Sequence, residues 1–169
     1  MLKKILSPET CGKCRVCCVF DKNDIWEIPL FSKEKYNNIK SEHPELELIP
    51  RGENNYVFDM KFTDNGLTYC PALSETGCTL GENKPFDCRI WPLRAMKKDD
   101  DIVITISPVC KSVDPENSKV KALVEELAPI IFAEAEKNPD IIKEYIKGYP
   151  ISRTTLARES RDFGWAAIV

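Results

Sequence analysis

Eight cysteines carry the chemistry of this 169-residue chain, at positions 11, 14, 17, 18, 70, 78, 88 and 110. Four of them fall inside eight residues, as Cys11-x2-Cys14-x2-Cys17-Cys18. A two-residue gap lets the backbone turn so that successive sulfurs converge on one centre, with main-chain amides available to hydrogen-bond the thiolates. Zinc usually draws such pairs from two separated knuckles, whereas three cysteines at this spacing suit three irons of a cubane cluster. Adjacent side chains point in different directions, so Cys17 and Cys18 are expected to serve different metal atoms. The second group, Cys70-x7-Cys78-x9-Cys88 and then Cys110, lies among Pro71, Gly77, Gly81 and Pro85, in loop-like sequence. The eight thiols suffice for two four-coordinate sites, or for one cluster and one structural zinc.

Two other uses of cysteine fit less well. Disulfide frameworks belong to small secreted chains that cannot build a core, and this chain is long enough to build one. Thiols as small buried hydrophobes would explain Cys110, but not four cysteines in CGKCRVCC. Lys13 and Arg15 interleave the first run, Arg89 follows Cys88 and Lys111 follows Cys110. Cations so placed would lower thiol pKa and donate to sulfur, and Lys13 and Arg89 are the candidates to support a bound cofactor.

These residues, with Cys70-Pro71-Ala72-Leu73, Gly77-Cys78 and Lys84-Pro85-Phe86-Asp87-Cys88-Arg89-Ile90-Trp91-Pro92, resemble the YkgJ-type CxxCxxCC family, described as zinc- or iron-chelating proteins. The resemblance spans about residues 11 to 110. It implies a metal site drawn from Cys11, Cys14, Cys17, Cys18, Cys70, Cys78, Cys88 and Cys110. A more distant similarity, to the flagellin lysine N-methylases, implies a 4Fe-4S iron-sulfur cluster in preference to zinc. The function expected is redox chemistry or cluster-dependent modification of a protein partner or substrate. The alternatives are a zinc-stabilised interaction module and a lysine N-methylase-like enzyme.

Other chemistries lack their residues. No two of the seven glycines are separated by a single residue, so a dinucleotide-type phosphate loop is missing. One histidine leaves no Ser-His-Asp or Cys-His arrangement. With 24 Lys+Arg against 27 Asp+Glu, and a net charge of −3, the chain carries no footprint for nucleic acid. The longest uncharged apolar run, Leu127 to Ala133, is too short for a membrane span. The opening MLKKILSPET leaves no room for a signal-peptide apolar region, and a cytoplasmic location is expected.

The elements that must position the cysteines read as a single α+β domain over 1–169, with a cysteine-rich part (1–110) and a helical part (111–169). Metal-binding loops are expected on a small antiparallel sheet covered by C-terminal helices. Val19, Phe20, Ile25, Trp26, Ile28 and Leu30 supply apolar anchors beside the first run. Ser32 starts a polar helix that ends near Glu42, and His43 beside its stop reads as a surface residue. Tyr56 to Phe62 alternates as a strand, and Asn65-Gly66 predicts a hairpin into Leu67–Cys70. Ile90–Met96 and Ile102–Ile106 form a second hairpin around Lys97–Asp101, with Asp99, Asp100 and Asp101 as a solvated tip. Beyond Cys110, Val120, Leu123, Val124, Leu127, Ile130 and Ile131 recur at helical spacing, with Pro129 inside. Asn138-Pro139-Asp140 predicts another helix, with Ile141, Ile142, Tyr145 and Ile146 on its buried face and Gly148 as its stop. Glu125 and Glu126 read as solvent-facing charge, and the tail from Ile151 to Val169 as a packed segment.

Overall fold

A computed structural model describes residues 7–154 of the chain. It has mixed α+β architecture, and its contacts divide the chain between Ile90 and Trp91 into two compact units. The division precedes Cys110 because the hairpin that follows Trp91 pairs and packs with the C-terminal elements.

In the first unit, α1 (Pro8–Cys14) starts where the Ser7 hydroxyl accepts the Thr10 amide at 3.1 Å, with Pro8 in the first turn and Glu9 on the favourable end of the helix dipole. A 3-10 turn, Val16–Cys18, leads into β1 (Val19–Asp21). β2 (Phe31–Ser32) runs straight into α2 (Lys33–Glu42), capped by the Ser32 side chain on the Lys35 amide, as its sequence predicts. β3 (Leu48–Arg51) and β4 (Asn55–Phe58) follow, and the antiparallel sheet order is β2-β4-β3. β5 (Leu67–Tyr69) pairs antiparallel with β1. β6 (Leu73–Ser74) and β7 (Gly77–Cys78) form a tight hairpin, and α3 (Phe86–Ile90) closes the unit.

The Asn65-Gly66 turn forms, with Gly66 at φ 79, but it does not join β4 to β5 as a hairpin. The turn chemistry fixes only a local reversal. β4 is taken on both edges by β2 and β3, so β5 finds its partner in β1. The core is Phe31, Ile39, Leu46, Phe58, Ala72 and Leu80, with Phe31 and Phe58 edge to face at 4.8 Å. Cys70 and Cys78 pack against this core. Of the anchors expected after the first cysteine run, Phe20, Ile28 and Leu30 are buried, Val19 and Trp26 are half-buried, and Ile25 is exposed in a 3-10 turn.

The second unit is built on the hairpin of β8 (Leu93–Lys98) and β9 (Asp101–Ile106). The reversal needs a left-handed residue, and Asp99 takes it at φ 56. α4 (Ser118–Lys137) is capped by Asn117, whose side chain accepts from the Lys119 amide at 2.9 Å. It runs through Pro129 and buries Val120, Leu123, Val124, Leu127, Ala128, Ile131, Phe132 and Ala135, packing on β8 and β9.

The helix expected from Asn138 is a 3-10 turn, Pro139–Ile141, followed by β10 (Lys143–Glu144), which joins β8 in parallel. Ile141 is buried, but the open edge of β8 takes up the backbone that would have continued the helix. β11 (Ile151–Thr154) completes the sheet order β10-β8-β9-β11. Glu125 is not simply solvated, since it accepts a hydrogen bond from Arg153 at 3.0 Å and so ties α4 to β11. The rest of the predicted packed tail, 155–169, lies outside the described residues. No helix among the described residues is long and apolar enough to cross a membrane.

Candidate metal centre

The first unit folds three cysteine-bearing segments against one another. α1 carries Cys11 and Cys14 one turn apart, a spacing that puts both on one face. Arg15 ends the helix in the left-handed region (φ 57), its amide bonded to the Cys11 carbonyl at 3.0 Å. The 3-10 turn that follows brings the Cys17 and Cys18 sulfurs to 4.0 Å from each other.

β1 then delivers this run to the second group. Val19 faces Tyr69 across the β1–β5 pair, and the ladder extends one step further, where the Cys70 amide donates to the Cys18 carbonyl at 2.8 Å. After Cys70 the chain turns through Pro71, with the Leu73 amide on the Cys70 carbonyl at 2.9 Å. Across the β6–β7 hairpin Leu73 faces Cys78. α1 packs on β7, and a Cβ on Gly77 would stand 4.0 Å from the Gly12 Cα. The Arg15 guanidinium completes this joint, with Nε donating to the Gly12 carbonyl at 2.9 Å and Nη2 to the Glu75 carbonyl at 2.5 Å.

Cys70 links the two cysteine groups. Burial pushes its thiol up to about 11, the Ala72 amide donates to its sulfur and opposes the shift, and the neighbouring Cys78 and Cys17 add to it. Two thiols from distant parts of the sequence therefore lie within electrostatic reach of a third that is expensive to ionise without a cation beside it. All eight cysteines are thiols, none in a disulfide. Soft sulfur donors of this kind suit iron-sulfur clusters and zinc. Among the described residues, no group of three or more Cys, His, Asp or Glu side chains is placed so as to hold a metal ion. The fold brings together the segments bearing Cys11, Cys14, Cys17, Cys18, Cys70 and Cys78, with soft sulfur as their common donor.

The remaining candidates are placed differently. Cys88 is exposed on α3, whereas Cys70 follows β5 and Cys78 ends β7. Cys110 belongs to the second unit, three residues after the buried Ser107, in an open cleft that also includes Tyr149 and Pro150. Lys13 reaches back to Glu9 at 2.7 Å on an exposed face, and Arg89 is exposed. His43 is half-buried, 3.4 Å from Glu45. Sequence reasoning expects the cations of the first run to act on sulfur, and so misses that Arg15 holds two carbonyls. Its only sequence signal is a non-glycine at the point where the run must turn. Comparison with protein-family models, with curated proteins and with solved structures finds no match to this chain.

Proposed function

We propose that the chain is a cytoplasmic metal-binding protein that holds an iron-sulfur cluster, of 4Fe-4S type, through Cys11, Cys14 and Cys17 with Cys70 as the fourth ligand. The observation that carries this reading is the β1–β5 pairing, which sets Cys70 beside the end of the cysteine run. A cluster of this kind supplies one-electron transfer, or Lewis acidity where one iron is open. The chain's own part is to gather the thiolates, to donate the Ala72 amide to the Cys70 sulfur and to pack half-buried Cys70 against the core. Its role would be redox chemistry or cluster-dependent modification of a protein partner.

A second reading is favoured by one observation: the Cys17 and Cys18 sulfurs lie 4.0 Å apart, and Cys17 and Cys78 both lie within electrostatic reach of Cys70, so that one zinc drawing these cysteines together would have the four thiolates a structural site takes. In that case the metal would stabilise an interaction module. Metal and acid-labile sulfide analysis of anaerobically purified protein, with a visible spectrum, separates the two. Brown protein with iron and sulfide in similar amounts supports the cluster. Colourless protein with stoichiometric zinc rejects it in favour of the module.

A further inference from the structure

Arg15 stands where the cysteine run turns from α1 into the 3-10 turn, with a left-handed backbone that a side chain rarely adopts. Among the described residues only Asp99 shares this among non-glycines, at a hairpin tip where it is expected. A glycine would make the turn at Arg15 without strain, so the turn itself does not account for an arginine.

Its side chain does. Two nitrogens of one planar guanidinium reach two main-chain carbonyls from separate segments: Gly12, beside Cys11, and Glu75, in the turn between β6 and β7, three residues before Cys78. A charged donor to a carbonyl is stronger than a neutral one, and a rigid fork serves two acceptors with little further loss of freedom. Beside it Gly12 and Gly77 face each other, a Cβ on Gly77 standing 4.0 Å from the Gly12 Cα.

We infer that Arg15 is a positioning residue, whose fork ties the Cys11–Cys18 run to the hairpin carrying Cys78 and so sets the spacing of the sulfurs that meet a metal. This role rests on the metal-centre reading above.

The test uses the full chain with R15G and R15K, metal-free and after anaerobic loading with iron and sulfide or with zinc. R15G frees the backbone but loses the fork; R15K keeps the charge but offers a single nitrogen for two carbonyls. Both variants should lose metal to a competing chelator about tenfold more readily than the parent, the scale seen for groups that orient metal ligands. In the metal-free state, amide exchange should quicken over residues 11–18 and 73–78 while the β3–β4 pair is unchanged. Parental retention of metal by R15G, or rescue by R15K, would overturn the inference while leaving the metal centre intact. If R15G does not fold, R15K decides alone. A parent that takes up neither iron nor zinc would overturn the centre itself, and this role with it.

Discussion

Two glycines on either side of the same joint should respond to alanine with opposite signs. Gly12 lies within α1 in helical conformation, and a Cβ there would meet the Thr76 carbonyl oxygen at 3.6 Å, an ordinary contact. Glycine within a helix costs roughly 0.5–1 kcal/mol relative to alanine, so G12A should stabilise by about that amount. Gly77 has room as well, with only the Gly12 Cα at 4.0 Å, but its φ of 116 is one that side chains avoid. The strain costs roughly 1–3 kcal/mol, offset by the roughly 0.4–1 kcal/mol that alanine removes from unfolded-state freedom, for a net loss of about 0.5–2 kcal/mol. Urea denaturation of the metal-free protein reads both changes. With a slope of about 2 kcal/mol/M, the midpoint should rise by about 0.3–0.5 M for G12A and fall by about 0.3–1 M for G77A. A G12A midpoint well below the parent would mean that α1 is pressed harder on the hairpin than these distances allow. A G77A midpoint at or above the parent would mean that the hairpin does not hold its left-handed turn. Either outcome refutes the joint as described.

Further expectations concern thiol chemistry and the second unit. A pKa of about 11 leaves about one Cys70 thiolate in a thousand at pH 8, so in metal-free protein mass-mapped alkylation of Cys70 should lag about a hundredfold behind a thiol of ordinary pKa near 9, whereas exposed Cys14 should label fast. Because the folded state keeps this proton to about pH 11 and the unfolded state only to about 9, its contribution to stability is complete below pH 9 and is lost on rising to 11. Equal labelling of Cys70 and Cys14 at pH 8 would show that Cys70 is not buried. I104A removes a fully buried side chain from β9 and should cost about 2–5 kcal/mol in thermal or urea unfolding; a loss below 1 kcal/mol would place Ile104 outside the core.

How much of this was legible in the sequence differs by element, for physical reasons. The β8–β9 hairpin and α4 could be read because their period, caps and turn residues all agree. The segment after Asn138 misled because Ile141, Ile142, Tyr145 and Ile146 fit helical spacing, while the deciding factor was a vacant sheet edge elsewhere in the chain. Asn65-Gly66 announced a reversal, but the partner of β5 was set by the occupied edges of β4. Spacing alone singled out the cysteines as a group. What it could not give was their distribution, since Cys70 meets Cys18 through a strand pair and Cys78 meets α1 through two glycines and the Arg15 fork. A side chain that binds carbonyls leaves no pattern in a single sequence.

The proposed centre joins sulfurs of the run and of the second group around one inorganic group. X-ray absorption at the iron or zinc edge of the anaerobically purified chain tests it most directly. The account predicts a first shell made of sulfur alone at about 2.3 Å, with an iron neighbour beyond it for the cluster. A first shell of nitrogen and oxygen, or no metal to absorb, would contradict it.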